Sequence, residues 1–235
     1  MRLNFLFCFS KIGLMKYIGH LDQLKIFQRA AIRCGLPINY SEGFNPHSRM
    51  TFALPLPVGM EGRREYAQME LGSEVPPDEI IMRLREVMPE GIYPIEGRYM
   101  SESEKSSASL VTAAGYELLF AYGISEDAVA EFMGKKEIIV QKISKKATKS
   151  RASDGKVYID TDIRPHIFKC EYHSGNTVRM MLAAGGAASV KPELAAGALS
   201  DLSENRLSCI VRLELYKKVG DGYLSLFDDK PVDGI

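Results

Sequence analysis

Tryptophan is absent from this chain, and only four cysteines and four histidines occur among its 235 residues. The cysteines, Cys8, Cys34, Cys170 and Cys209, are far apart, so the sequence has neither a CxxC pair nor a zinc-binding spacing. We therefore predict buried free thiols in a cytoplasmic protein, with no metal and no cofactor.

Net charge and long apolar runs are absent too. Thirty Lys and Arg residues balance thirty Asp and Glu residues, so the molecule has no net positive charge that would attract nucleic acid. No apolar run approaches the roughly 18 residues that a membrane span needs, which predicts no membrane partner. The first ten residues are apolar but lack a small-residue cleavage site, and Lys11 follows at once, so we expect no signal peptide.

Several catalytic motifs are missing. The sequence contains no HExxH helix, GxSxG elbow, Walker loop or Rossmann GxGxxG. Asp160 and Asp162 form a DxD pattern, but no cluster of carboxylates or histidines accompanies them, and a turn beside a strand is the preferred interpretation. A CxxxCxxC motif is also missing, so the chain cannot by itself hold the cluster of a radical SAM enzyme.

Hydrophobic periodicity predicts an α+β fold. Residues 3–9 are aromatic-rich and alternate weakly, which is typical of a strand. Apolar residues recur at helical spacing from about Gly19 to Cys34, and Gly35 predicts a left-handed cap at the helix end. The next predicted elements are strands at Met50–Leu56, Glu65–Leu71 and Ile92–Met100, with a helix from Pro76 to Met88 before the last of them.

The order strand, helix, strand, strand, helix, strand is the ferredoxin-like βαββαβ arrangement, an antiparallel sheet with two helices on one face. The second half repeats this order with more than four strands, so we predict two ferredoxin-like halves, the second elaborated. The predicted segments are a first domain over 1–103, a linker over 104–114, a second domain over 115–218 and a loosely packed tail over 219–235.

A polar loop that leads directly into an apolar strand is the most informative segment. It spans residues 40–49, and a loop that only had to turn would need little besides Gly43 and Pro46. Asn45, His47 and Arg49 are groups that can bind an anion or a polar substrate. Solvated loop residues without a function are the alternative interpretation. The substrate-binding candidates in this loop are Gly43, Phe44, Asn45, His47 and Arg49.

The first predicted helix carries further candidates. Lys25, Arg29 and Arg33 form one stripe, which suits either a phosphate or solvent. We select Lys25 and Arg29 as substrate-binding candidates. His20, at the helix start, can act as a general acid or base or meet a phosphate, although a capping or packing role is equally compatible with its position.

The second half holds a basic region and a glycine loop. Residues 135–191 contain twelve Lys and Arg against five Asp and Glu, most densely over 142–151. Such a cluster attracts phosphate, or is simply a solvated connection. Gly185 and Gly186 precede a predicted helix, where backbone N–H groups can approach an anion and Lys191 adds charge. A plain strand-to-helix connection is the preferred interpretation of this loop.

Four runs of sequence together resemble a known family. They are Tyr17-Ile18-Gly19-His20-Leu21-Asp22, Gly35-Leu36-Pro37, the segment 40–47 and the segment 52–59. They are similar to the radical-SAM-linked family, an uncharacterised bacterial domain found alone or fused C-terminal to a radical SAM domain. The resemblance is dense over residues 1–100 and continues through Arg164-Pro165 and the loop 185–192. Relatives tend to carry arginine in place of Lys191 and proline in place of Ser48.

The resemblance implies a cytoplasmic accessory protein whose partner is a radical SAM protein on a separate chain, and it supplies no reaction. Stand-alone members are often encoded near ribonuclease E/G-type and ribosomal-protein genes, which implies a role connected with RNA.

Two hypotheses follow. In the first, the chain is not an enzyme on its own and binds RNA, or another phosphate-bearing substrate, for the radical SAM partner. In the second, it is a metal-independent endoribonuclease resembling the RNA-processing enzymes of CRISPR systems, with His20 or His47 as general acid or base and Lys191 stabilising the charged transition state. We favour the binding module, because neither histidine has a visible catalytic partner in the sequence.

Overall fold

The computed structural model describes residues 3–143, 157–186 and 188–228. Most of the predicted basic segment 142–151 and the end of the predicted tail therefore lie outside the described residues. The chain forms two compact units: unit 1 is Met1–Gly115 together with Val211–Ile235, and unit 2 is Tyr116–Ile210.

The helices and strands follow the predicted order closely. The helices are α1 (His20–Arg33), α2 (Pro77–Val87), α3 (Ser107–Leu110), α4 (Glu126–Gly134) and α5 (Pro192–Leu202). The strands are β1 (Leu3–Lys11), β2 (Met50–Phe52), β3 (Glu61–Leu71), β4 (Ile92–Tyr99), β5 (Val111–Phe120), β6 (Ile139–Ile143), β7 (Tyr158–Asp162), β8 (Ile167–Ser174), β9 (Thr177–Ala183), β10 (Leu207–Val219) and β11 (Gly222–Ser225).

Unit 1 contains the first ferredoxin-like half. Strand β1 pairs antiparallel with β3 and β4, and β2 pairs antiparallel with β3, which gives the order β4-β1-β3-β2. The alternating residues Phe5, Phe7 and Phe9 of β1 lie on the face that α1 covers, and the Phe9 ring centroid is 4.7 Å from that of Phe27 on α1. Each buried ring contributes about 1.5–3 kcal/mol, so this aromatic layer fixes α1 on the sheet.

A second ferredoxin-like half repeats the arrangement. Its strands follow the order β10-β5-β9-β8, which is the same order with β5 as the first strand and β10 as the last. Strands β8 and β9 lie in unit 2, whereas β10 belongs to unit 1 from Val211 onward. The antiparallel hairpin of β6 and β7 is inserted between α4 and β8 and accounts for the extra strands. The predicted α+β fold with two ferredoxin-like halves, the second elaborated, is confirmed.

Three segments differ from the prediction. The strand expected over Met50–Leu56 ends at Phe52, because Pro55 and Pro57 have no N–H for a strand ladder. The residues 104–114, expected to be a linker, contain α3 and the start of β5, and the Ser107 N–H donates to the Gln68 side chain at 3.1 Å. Within the expected tail, β11 pairs with β10 and Leu226 is buried.

The thiols also depart from the prediction in part. Cys8 and Cys170 are buried as expected, whereas Cys34 is half-buried and Cys209 is exposed. Cys209 lies near the start of β10, where one face of the strand is exposed to solvent. The Cys209 thiol is therefore exposed although it belongs to a strand.

Gly62 on β3 occupies a crowded position. It lies opposite Lys11 of β1 on one side and opposite Arg212 of β10 on the other. A Cβ at this position would collide with the Glu65 side chain, which forms a buried ion pair with Arg212. The missing side chain therefore leaves room for the Glu65 carboxylate that pairs with Arg212.

We expect Gly62→Ala to lower the free energy of unfolding by about 1–3 kcal/mol, because the added methyl group must displace a carboxylate that Arg212 holds in place. Urea denaturation measures the effect. Gly134→Ala is the matched control, since a Cβ there meets no atom within 4 Å, and its change should stay within about 0.5 kcal/mol. Equal stability of the two variants would contradict this account of Gly62.

Candidate functional site

The loop between α1 and β2 is closed by its own hydrogen bonds. The Ser41 N–H donates to the His47 carbonyl at 2.8 Å, and the His47 N–H donates to the Ser41 hydroxyl at 2.9 Å. Tyr40 and Ser48 form a bridge at the base of the loop. Gly43 has a φ of 117°, a conformation that a residue with a side chain rarely adopts. The tip is therefore a defined turn on a fixed base.

The predicted binding residues of this loop divide into two groups. Phe44, Asn45 and His47 are exposed, and the Phe44 ring is fully in contact with solvent. Arg49 instead braces the base: its guanidinium donates to the Glu70 carboxylate and to the Tyr40 carbonyl, both at 3.4 Å. The tip presents an aromatic ring and polar groups to solvent, while the predicted arginine supports them.

The candidates on α1 are exposed and differ in their contacts. His20 is the first helical residue, and its ring packs edge-to-face on Phe52 with centroids 5.4 Å apart. Lys25 approaches Asp22 at 3.3 Å, an exposed pair of little energetic weight. Arg29 is exposed, whereas Arg33 donates to the Val87 carbonyl at 2.6 Å and so holds the end of α2. Neither His20 nor His47 makes a side-chain hydrogen bond to another described residue.

A buried cluster of charges lies beneath the segment that follows β2. Arg212 forms an ion pair with Glu65, with Nε 2.8 Å from the carboxylate, and both side chains are almost fully buried. The same guanidinium donates to the carbonyls of Leu54 at 2.9 Å and Pro55 at 3.3 Å. The prolines that end β2 free these carbonyls from the sheet, and Arg212 satisfies them.

Lys11 extends this cluster toward the start of α1. Its ammonium donates to the Ile18 carbonyl at 2.7 Å. Burial lowers the pKa of Lys11, and the nearby Glu65 carboxylate opposes that effect. The segment that leads into His20 is thus held by the buried Lys11 ammonium, and the segment that follows Phe52 is held by the buried Arg212 guanidinium.

These three charged residues are absent from the candidates that the sequence indicates, although a signal for two of them exists. Lys11 continues the alternation of Phe5, Phe7 and Phe9, and Glu65 has the parity of the buried face of β3. A charged residue at a buried position requires a partner. Strand parity could therefore have identified Lys11 and Glu65.

A second polar cluster lies on the opposite face of the unit 1 sheet. Glu214 accepts hydrogen bonds from the Tyr66 hydroxyl at 2.6 Å, from Arg64 at 2.8 Å and from the Leu215 N–H at 2.8 Å. Burial outweighs these donors and raises the pKa of Glu214 to about 7. Ser225 of β11 also hydrogen-bonds the Tyr66 hydroxyl at 2.9 Å, so the cluster fastens the C-terminal strand to the sheet.

Unit 1 also exposes a group of large apolar side chains, which we call the apolar patch. Its members are Leu14, Tyr17, Leu21 and Val58, with exposed fractions of 82%, 61%, 70% and 62%. They lie on adjoining segments: the 3-10 turn Gly13–Tyr17, the first turn of α1, and the loop that the Gly59 N–H ties to the Lys16 carbonyl at 2.8 Å. Exposed large apolar groups on neighbouring segments are typical of interaction surfaces.

The predicted glycine loop lies in unit 2. Gly185 and Gly186 have φ values of 68° and 56°, so both adopt the left-handed conformation. The Val190 N–H donates to the Ala183 carbonyl at 2.9 Å, which closes the turn, and exposed Lys191 is the N-cap residue of α5.

The DxD pattern lies in strand β7 rather than in the predicted turn, with Asp160 inside the strand and Asp162 at its end. The Asp162 carboxylate accepts the N–H groups of Ile138 at 2.8 Å and Arg164 at 2.9 Å, and these bonds lower its pKa. In the described ranges, no three His, Cys, Asp or Glu residues lie close enough together to hold a metal ion. None of the helices in that part of the chain is long and apolar enough to cross a membrane.

A family model described as "Uncharacterized protein conserved in bacteria (DUF2344)" matches residues 4–192. The chain belongs to this family. The matched range includes every candidate residue of both units except those of β10 and β11. Members of the family have no described activity in that definition, so membership defines a conserved bacterial domain without a reaction.

Comparisons with other proteins add no function. One chain of a Cbf5-Nop10-Gar1 complex is similar at 10% identity and a TM-score of 0.43, over 90% of this chain and 48% of that one. This chain therefore spans about half the length of that relative. An unknown protein from Galdieria sulphuraria is similar at 12% identity and a TM-score of 0.27, over 88% of this chain and 99% of the other. No curated protein matches.

We expect Glu65→Gln to lower the free energy of unfolding by about 3–5 kcal/mol, because it leaves the buried Arg212 without a counter-charge. Urea denaturation gives the loss, and amide exchange of residues 53–59 should accelerate, since their anchor is weakened. Arg63→Gln is the control: Arg63 is exposed and 3.8 Å from Glu61, so its removal should change stability by less than about 0.5 kcal/mol. A Glu65 variant as stable as this control would show that the ion pair is not required.

Proposed function

We propose that this protein is an accessory module that binds RNA, or another phosphate-bearing substrate, for a radical SAM partner protein. The observation that carries the RNA part is the fully exposed Phe44 at the tip of a braced loop. Single-stranded RNA is bound by stacking its bases on aromatic rings, with polar groups beside them. Asn45 and His47 supply such groups on the same tip, and the hydrogen bonds of the loop reduce the entropy lost on binding.

Exposed cations on α1 support the same proposal. Lys25 and Arg29 are one helical turn apart on an exposed face of unit 1, and the exposed Asp22 is the one carboxylate partner of Lys25 among the described residues. Phosphate neutralisation by such residues gives affinity that falls with added salt. In unit 2, Lys191 beside Gly185 and Gly186 offers a further anion-binding loop, independently of unit 1.

The partner part of the proposal draws on the apolar patch and on the family resemblance. Four large apolar side chains in contact with water are unfavourable unless another surface covers them, since each side chain gains about 1.5–3 kcal/mol on burial. The patch adjoins the segments that carry the resemblance to the radical-SAM-linked family. A radical SAM protein that covers the patch would lie beside His20 and the segment held by Arg212.

The alternative, a metal-independent endoribonuclease, keeps His20 and His47 as its candidate acid and base. Its test incubates the wild type and a His20→Ala, His47→Ala double variant with the same RNA that is used for binding. Cleavage by the wild type that disappears in the double variant would identify a ribonuclease rather than a binding module.

We expect Phe44→Ala to weaken binding of a 12-nucleotide single-stranded RNA by about 5-fold to 150-fold, the loss of one stacked base. Fluorescence anisotropy at low salt measures the dissociation constant. Tyr122→Ala is the control, since Tyr122 is another exposed aromatic residue but lies in unit 2. A Lys25→Gln, Arg29→Gln variant should flatten the salt dependence by about 1.4 in log–log slope, about 0.7 for each lost phosphate contact.

The matched charge control is Lys105→Gln with Lys218→Gln, two exposed lysines elsewhere in unit 1. Absence of RNA binding at low salt, or a Phe44 variant that binds like the wild type, would contradict the RNA part of the proposal.

For the partner, we expect crosslinking in cells to recover a protein with a CxxxCxxC motif, and Leu14→Ser with Leu21→Ser to abolish the recovery, because polar side chains remove the apolar contact. Mass spectrometry of the crosslinked peptides provides the measurement. Ile32→Ser with Met82→Ser removes exposed apolar groups outside the patch and should leave the recovery unchanged. If both double variants recover the same partner as the wild type, the patch is not its docking surface.

A further inference from the structure

Unit 2 contains a groove of about 750 Å³ that none of the candidate residues lines. One wall is the edge of β6, with Ile139 and Gln141, and the other wall is α5, with Leu194, Gly197 and Ala198. The groove lies wholly within unit 2, and its lining combines apolar groups with a strand edge.

The backbone of β6 has unused hydrogen-bonding groups on the side of the groove. The Ile163 N–H donates to the Ile138 carbonyl at 2.9 Å, and the register then places Ile139 opposite Asp162 and Gln141 opposite Asp160. Opposite pairs in an antiparallel ladder alternate between bonded and non-bonded. Ile139 and Gln141 therefore direct their N–H and C=O groups away from β7, and no other described strand pairs with that edge.

The wall that α5 contributes to the groove carries two small residues, Gly197 and Ala198. Gly197 lies in the middle of the helix, where glycine costs about 1 kcal/mol relative to alanine. A Cβ at Gly197 would meet no atom within 4 Å, so packing within the described protein does not require glycine there. Together with Ala198 it leaves space between the helix and the strand edge, as an inserted strand with side chains would need.

The side chains that line the groove carry a net negative charge, which favours a basic occupant. Glu137, Glu193 and Asp201 contribute three carboxylates, against the single ammonium of Lys135. None of the four forms an ion pair with another described residue. An occupant with lysine or arginine side chains would neutralise this excess, whereas an acidic one would be repelled.

We propose that the groove binds an extended, basic peptide segment of a partner protein, which adds to the open edge of β6 as a further strand. Main-chain hydrogen bonds to Ile139 and Gln141 provide the affinity, as in other cases of strand addition. Alternate side chains of the segment face α5, over Gly197, and basic side chains meet Glu193 and Asp201. This site is independent of the RNA and radical SAM proposals, which draw on other residues.

The probe is a fluorescein-labelled eight-residue peptide of alternating valine and lysine, compared with one of alternating valine and glutamate. We expect the lysine peptide to bind wild-type protein measurably at up to 1 mM, and the glutamate peptide to bind at least 10-fold more weakly. Two-dimensional NMR should show slower amide exchange at Ile139 and Gln141 when the lysine peptide is bound. No binding at 1 mM, equal binding of the two peptides, or unchanged exchange at these amides would overturn the proposal.

Two variants separate the groove from general charge effects. Glu193→Lys with Asp201→Lys, and Gly197→Leu alone, should each weaken binding of the lysine peptide at least 10-fold. Glu126→Lys with Glu131→Lys is the matched control, because it makes the same charge change on exposed positions of α4 and should retain most of the affinity. Unaltered binding in the groove variants would overturn the proposal.

Sedimentation of the unliganded protein tests one competing occupant. A dimer that Gly197→Leu converts to a monomer would identify a second copy of the chain in the groove and would overturn the peptide proposal. A wild-type protein that sediments as a monomer leaves the edge of β6 accessible to the peptide, as the proposal requires.

Discussion

The ion pair between Arg212 and Glu65 is the interaction on which the surface of unit 1 depends. Both charges are buried, so each would be costly alone, and the pair is favourable only because further donors and acceptors complete it. The completing groups are the carbonyls of Leu54 and Pro55, which belong to the very segment that continues the predicted binding region. Lys11 extends the arrangement to Ile18, just before α1 begins. The buried cations thus fix surface segments, because they are hydrogen-bonded to the carbonyls of Ile18, Leu54 and Pro55.

Exposed side chains on a hydrogen-bonded support have less conformational freedom to lose than exposed side chains on an unsupported loop. Phe44 is carried by a turn whose base is fastened by Arg49 to Glu70, and the apolar patch is carried by segments tied to one another and to the buried charges. Side chains presented from braced positions lose little freedom when they bind. Unit 1 therefore offers two surfaces of opposite character, one aromatic and polar and one apolar, each with its own mechanical support.

The sequence predicts those helices and strands whose hydrophobic residues follow one regular spacing. Helix α1 follows from its apolar spacing and from Gly35, and the ferredoxin-like order follows from the succession of elements. The end of β2 at Phe52 was not predictable from spacing, because it depends on prolines together with a guanidinium that is 158 residues away from Leu54. The same separation along the chain makes Arg212 unpredictable from the sequence, whereas strand parity marks Lys11 and Glu65 as charged residues on a buried face. Loop composition alone indicates the exposed tip, whereas the supporting role of Arg49 follows only from its contact with Glu70.

Strand β10 belongs to unit 1 from Val211 onward, although nearly a hundred residues of unit 2 come before it in the chain. On the ribosome, the first ferredoxin-like half is thus synthesised long before the arginine that completes its interior. Until then the Glu65 carboxylate and the carbonyls of Leu54 and Pro55 lack the guanidinium that donates to them in the folded protein. The interior of the first half, and with it the anchorage of Leu54 and Pro55, is consequently among the last features of the nascent chain to be completed.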